Sequence, residues 1–293
     1  MDRNSESAVI LDIQTACLWE VTSRKVGNVH RYCDFQDTTF LDFALSAGAI
    51  APCLLPRRGF GLGFTTLWAV QATQYVTPRN TNLGMILALA PLVMSERLGS
   101  IMGAWRWIRE CGVRETEQLY QAIRLANPGG LGDAPEQDVR AEPTVTLLQA
   151  MKLAADRDMV ARQYANGFAD VFDFGVPAFV DALARFGCVE AAIIDSQLRW
   201  LATYPDSLIA RKNGTAIAQD VQKRAAEVLR LGGIATPEGR AAGVALDKHL
   251  RSDGNKLNPG TTADLITACL FVALRENKVT PSTPFRWDVP DWL

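Results

Sequence analysis

The side chains able to do chemistry fall in short polar clusters between apolar runs: KVGNVHRYCDF, RNTNLG, LANPGGLG, ANGFAD, DSLIARKNG and NPGTTADL. Each gathers Asn, Asp, Gly or basic residues where helices should meet, and unpaired backbone donors at such junctions can hold an anion. Taken singly, a cluster of this kind is more often capping and turn chemistry, because Asn and Asp favour caps and Gly favours positive φ. Arg211 and Lys212 stand side by side just before Asn213 and Gly214, a pair of cations suited to clamping phosphate. Asp206, after Pro205, is placed to cap a helix, and Thr261 with Asp264 three residues on makes a variant capping box ahead of LITACLFVAL.

His30, one of two histidines, sits in a polar loop beside Arg31 and Asp34. A lone His is more often a surface or packing residue, but its ordinary pKa of about 6.5 suits acid–base work. Asp34 and Asp37 flank the same loop. Paired loop carboxylates suit Mg²⁺, which takes one or two of them and completes its shell with phosphate oxygens and water. Asp37 is alternatively a cap for the next helix. The string GFGLG, from Gly59 to Gly63, has no strand before it and no GK[ST] ending, so it reads as a turn rather than a nucleotide loop.

Helices must position these residues. Ile10, Ile13 and Cys17 share one stripe, with Leu11, Leu18 and Val21 beside it and Glu20 at its end. Apolar spacing and Pro/Gly punctuation predict further helices near 39–50, 65–75, 83–94, 101–110, 115–125, 146–162, 176–186, 189–203, 215–231 and 262–276. Strand signals are nearly absent, since VTPRNTN and EPTVTLL are each interrupted by Pro. The expectation is an all-α fold, a single globular multi-helix domain over 1–293, with no repeat and no linker. The one long loop, 126–145, is rich in Gly, Pro and charge, and a loop of that length is expected to be functional.

Bulk composition narrows the function classes. A chain of 293 residues, 48% of them hydrophobic, can bury a sizeable core. Its 30 basic and 32 acidic residues leave a formal charge of -2, so no broad positive field holds nucleic acid or anionic lipid, and any phosphate site is local. Six scattered cysteines without a CxxC pair argue against zinc and disulfides and for a reducing, cytoplasmic setting. The start MDRNSESAVILDIQ lacks the basic and apolar regions of a signal peptide. The most apolar stretches, 41–55 and 85–94, fall short of the roughly 20 residues a bilayer span needs and read as buried helices. Trp287 and Trp292, in the tail FRWDVPDWL, are expected to anchor it on the same chain, although a homo-oligomer interface is open to them.

Four blocks in order, LWEVTSRKVGNVHRYCDFQDTTFLDF, RNTNLGMILALAPL, DSLIARKNG and NPGTTADLITACLF, resemble the triphosphoribosyl-dephospho-CoA synthase family over nearly the whole chain. Its members make the precursor of the prosthetic group of citrate lyase and malonate decarboxylase. The sequence departs from the family pattern at Val26, where the family has Pro, at His30, where it has Asp, and at Asn82 and Leu83, where it has a His-Lys pair. The resemblance implies that the 5-triphosphoribosyl group of ATP moves onto 3'-dephospho-CoA or a related acceptor with loss of adenine, assisted by Mg²⁺. It implies Glu20, Asp34 and Asp264 on the metal, and Glu20, His30 and Asp34 as catalytic groups, with His30 or Asp34 the base. Arg211 and Lys212 would meet the phosphates, Asp206 would orient Arg211, and Asn28, Asn80, Asn82, Thr261 and Thr262 would bind substrate. Two other readings remain: the same scaffold serving a one-carbon or pterin-type acceptor, and a nucleotide-binding module without catalysis.

Overall fold

The structure, a computed structural model, describes residues 2–3, 5–95, 102–131, 136–289 and 292–293. Among these residues the chain forms fourteen α-helices, one π-helical turn and one 3₁₀ turn, and no strand beyond an isolated bridge between His30 and Cys33. The predicted all-α class holds.

Helix α1 (Glu6–Thr22) is opened by Ser5, whose hydroxyl accepts the Ala8 N–H at 3.2 Å. Helix α2 (Phe40–Leu54) begins with a capping box between Thr39 and Asp42, so the cap is Thr39 and not Asp37. Helix α3 (Leu62–Val76) begins within GFGLG, and its Gly63 N–H is taken by Glu115 at 2.5 Å; the chain's own carboxylate fills that helix start. Helix α4 (Leu83–Ser95) is apolar on every side and accordingly buried among α1, α3 and α14 (Gly260–Arg275). These packings bring the end of α1 and the starts of α4 and α14 together. Not every apolar stretch is buried as expected: Leu41 and Leu45 of α2 are 62% and 46% exposed.

Helices α5 (Met102–Glu110) and α6 (Val113–Ala126) cover α4 and α3. The single helix expected over 146–162 is two, α7 (Leu147–Ala154) and α8 (Met159–Asn166), because the Asp158 carboxylate accepts the N–H groups of Val160 and Ala161 and starts a new helix there. After Gly167 comes a π-helical turn, Asp170–Gly175, running into α9 (Val176–Phe186).

Helix α10 (Val189–Thr203) packs against α9 and α12 (Thr215–Arg230), and a short α11 (Ser207–Asn213) lies between α10 and α12 in sequence. Helix α13 (Pro237–Arg251) was not expected, since Gly239 and Gly243 dilute its apolar pattern. Gly243 has a packing reason: a Cβ there would lie 2.3 Å from the Trp292 ring. Trp292 is buried, and its indole N–H reaches the Arg24 carbonyl at 2.8 Å, so the tail docks on its own chain as expected. All six cysteines are free. No described helix is long and apolar enough to cross a membrane.

Candidate active site

The cleft between the ends of α1, α4, α8, α11 and α14 has a volume of about 1750 Å³, beyond the roughly 300–1,000 Å³ usual for one small ligand. Glu20, Asn28, Asn80, Asn82, Arg211, Lys212, Thr261 and Asp264 all line it; His30, Asp34, Asp206 and Thr262 do not. Part of the long loop, Ala126 to Leu131 and Glu136 to Val139, also lines it, while positions 132–135 lie outside the described residues.

Two carboxylates define one wall. Glu20 is buried against the fully buried Lys25, whose ammonium stands 3.0 Å from Glu20 Oε1 and also donates to the Glu20 and Ser23 carbonyls. Burial pushes the Glu20 carboxyl up and the Lys25 ammonium down, each opposed by the other's charge. Asp264, the fifth residue of α14, lies against Gly84 so closely that a Cβ there would fall 1.9 Å from Oδ2. Only glycine admits the carboxylate at that place. Burial, then the charges of Glu20, Asp206 and Asp158, raise the Asp264 carboxyl well above the ordinary range, with Arg211 opposing them. No hydrogen-bond donor among the described residues reaches it.

Beside this wall, Asn82 is 4% exposed. Its Oδ1 accepts from Thr73 Oγ1 at 2.9 Å, and its Nδ2 has no partner among the described residues. Asn80 accepts the Leu83 N–H at 3.1 Å and so helps to open α4. Asn28 faces the cleft with its amide engaged, donating to Asn258 Oδ1 and accepting from Gln197 Nε2, both at 2.7 Å.

On the basic side, Arg211 is ion-paired with Asp158. Asp206 does not orient it. One Asp206 oxygen accepts the N–H groups of Leu208 and Ile209 at 2.9 and 3.1 Å; the other accepts the Thr262 N–H and hydroxyl, both at 2.8 Å. Asp206 therefore caps two helices at once, α11 with its cations and α14 with Asp264, and Thr262 serves that clasp. The capping box expected of Thr261 and Asp264 is absent: α14 starts at Gly260 without a local side-chain cap, and the Thr261 hydroxyl accepts from Ser207 Oγ at 3.0 Å. Lys212 is exposed at the rim, its chain lying against Gly129 and Gly130 of the long loop.

His30 is 2% exposed and accepts the Tyr32 N–H on Nδ1 at 3.3 Å. Burial and the nearby cations Lys25, Arg251, Arg24 and Arg31 bring its pKa to about 3, so the ring is neutral and a poor proton acceptor. Asp34 is exposed and accepts the Phe40 N–H at 2.6 Å, opening α2. The three carboxylates expected to share a metal are not together, and among the described residues no three His, Cys, Asp or Glu side chains are grouped to hold one. The cleft residues overlooked in the sequence are Asp158, Arg162 and Tyr204. Asp158, Arg162, Asn166 and Asp170 recur every fourth residue, the spacing of one helix face, which was the legible signal for Asp158 and Arg162; Tyr204 had none.

Known proteins resemble this chain along most of its length. A sequence model of the ATP:dephospho-CoA triphosphoribosyl transferase family matches residues 9–282. A Klebsiella pneumoniae protein named 2-(5''-triphosphoribosyl)-3'-dephosphocoenzyme-A synthase is 32% identical over 113 residues, covering 38% of this chain and 40% of that protein. A Pseudomonas savastanoi pv. phaseolicola protein named "Probable 2-(5''-triphosphoribosyl)-3'-dephosphocoenzyme-A synthase" is 34% identical over 115 residues, 39% of each chain. A Vibrio cholerae protein of the same name is 28% identical over 211 residues, 69% of this chain and 60% of its own. The matched stretches thus span about two fifths to three fifths of these relatives. The crystal structure of a candidate triphosphoribosyl-dephospho-CoA synthase from Archaeoglobus fulgidus superposes with a TM-score of 0.63 and 26% identity, over 80% of this chain and 99% of the other. The chain belongs to the ATP:dephospho-CoA triphosphoribosyl transferase family.

Proposed function

We propose that the cleft moves the 5-triphosphoribosyl group of ATP onto a ribose hydroxyl of 3'-dephospho-CoA and releases adenine. The observation that carries this reading is the meeting of a carboxylate wall, Glu20 and Asp264, with the cations Arg211 and Lys212 in one cavity of about 1750 Å³, large enough for two nucleotides. Mg²⁺ belongs to the proposal. Asp264 has no hydrogen-bond donor among the described residues and is crowded by the charges of Glu20, Asp206 and Asp158, a surplus that suits a divalent cation held by one or two carboxylates. Asp264 would hold it, with phosphate oxygens and water completing its shell, and the chemistry it would supply there is to neutralise triphosphate charge.

In the reaction the acceptor oxygen bonds to the anomeric carbon as the bond from that carbon to adenine N9 breaks, the electron pair leaving with the base. Positive charge that develops on the ribose is met by the carboxylate wall. With His30 and Asp34 away from the cleft, the hydroxyl proton passes to Glu20, whose carboxyl burial pushes up from its ordinary value while the Lys25 ammonium 3.0 Å away opposes the rise. Arg211 and Lys212 retain the triphosphate, and the unpaired Asn82 Nδ2 offers a donor to the sugar or base. The six free thiols fit the reducing cytoplasm in which we place the reaction.

Incubation with ATP, Mg²⁺ and dephospho-CoA should release adenine, detected by chromatography. Arg211→Ala and Asp264→Ala should each abolish release while circular dichroism stays helical. Turnover unchanged in both variants overturns these roles, and ATP binding without adenine from the native chain overturns the activity.

A further inference from the structure

One polar network near the cleft has no part in the scheme above. Asp170, 8% exposed at the start of the π-helical turn, accepts from five side-chain donors: Arg162 Nε at 2.9 Å and Nη2 at 3.1 Å, Gln163 Nε2 at 2.8 Å, Asn166 Nδ2 at 3.0 Å and the Tyr204 hydroxyl at 3.2 Å. Burial pushes its carboxyl up, but the hydrogen bonds from Gln163 and Arg162 bring it below the ordinary range, so the network holds an anion. The local backbone is unusual as well: Phe168 has φ +65° and residues 170–175 are π-helical, features that concentrate at functional sites.

Two of the donors, Arg162 and Tyr204, line the cleft, while Asp170 stands behind them. The guanidinium is fixed in plane by its two bonds to Asp170 and lies over the Tyr204 ring, 5.2 Å from the centroid. Tyr204 is in turn backed by Trp200 and Phe174, at 5.4 and 5.7 Å. Arg162 Nη1 keeps its donors, with no partner among the described residues, and the side chain is 41% exposed. The result is a flat, donor-bearing surface. Its place on α8 matters too. Arg162 follows Asp158, the partner of Arg211, by one helical turn, about 6 Å along the axis. Arg162 and Arg211 both line the cleft, so a nucleotide held by its phosphates at Arg211 shares one cavity with the Arg162 guanidinium.

We infer that Arg162, held by Asp170 and Tyr204, binds the adenine ring of ATP and donates from Nη1 to a ring nitrogen as the base departs. This rests on the triphosphoribosyl reading above. The departing adenine takes the electron pair of its broken bond to the anomeric carbon, and a guanidinium donor disperses that charge without giving up its proton. Adenine is protonated afterwards from water.

Calorimetric titration of Arg162→Met and Arg162→Lys with Mg·ATP and with inorganic tripolyphosphate reads the base apart from the phosphates and needs no turnover. ATP affinity should fall on the order of tenfold to a hundredfold in both variants, with tripolyphosphate unchanged and the melting temperature close to native. In turnover, either 7-deaza-ATP or 3-deaza-ATP should slow the native enzyme and bring no further loss in Arg162→Met. Asp170→Asn, a positioning change, should lower kcat in the same non-additive way. Equal loss of tripolyphosphate binding, loss of dephospho-CoA binding with ATP unchanged, or losses that multiply for both deaza analogues would each overturn the assignment. If the native chain releases no adenine, the triphosphoribosyl reading fails, and the calorimetric comparison still decides whether Arg162 holds the ring.

Discussion

Asp264 shows how a side chain can be costly to the fold and useful to the site. Its carboxyl is raised in the folded chain, so the folded state holds its proton more tightly than the unfolded state does. The stability it contributes is complete below the ordinary carboxylate pKa of about 4 and is lost as pH rises through the raised value. Asp264→Asn should therefore melt at a higher temperature than the native chain at pH 7 without ligand, with the gap closing toward pH 4, as followed by thermal denaturation across pH. The opposite order at pH 7 would mean that a donor already neutralises the carboxylate. Its type and neighbourhood were legible in NPGTTADL, but its burial against Gly84 was not, because that contact joins residues 180 positions apart. His30 misled for a related reason: a loop with Arg31 and Asp34 reads as exposed, and the fold buries the ring among cations.

At the scale of elements, Asp206 is the side chain on which most depends. Asp206→Ala leaves the N–H groups of Leu208, Ile209 and Thr262 without their acceptor at the starts of α11 and α14. At about 1–3 kcal/mol for each buried donor left unpaired, urea unfolding should show a loss on the order of 3 kcal/mol, and adenine release should fall with it. A loss as small as that of an exposed cap would show that water replaces the carboxylate. The helix-forming segments were readable because α6, α9 and α12 confine their apolar residues to one face, and α4 and α14 are apolar runs bounded by polar clusters. The helix starts were not all readable. Asp158 looked like the middle of one long helix because a cap and an interior Asp are the same letter, and the true cap of α14 arrives from a residue 56 positions earlier.

Across the whole molecule, a second apolar cluster formed by Val26, Ile194, Leu198, Val221, Leu250 and Trp292 supports the turn that leads from Lys25 to Asn28. Trp292→Ala should cost about 3–5 kcal/mol, as loss of a large buried aromatic does. It also removes the indole donor to the Arg24 carbonyl, so adenine release should decline more than the fraction unfolded accounts for; an unchanged specific activity would confine the tail to stability. The all-helical class was visible in the spacing of apolar residues, and five of the six polar clusters contribute residues to the cleft, ANGFAD being the exception. What no single stretch of sequence reveals is which clusters face inward, since Asp34 and Asp37 differ by three positions and only Asp37 lines the cavity.

The double cap at Asp206 has one more implication. By fastening the short helix that bears Arg211 and Lys212 to the helix that bears Asp264, it makes the two sides of the cleft one mechanical unit, so a change that frees either helix start disturbs both.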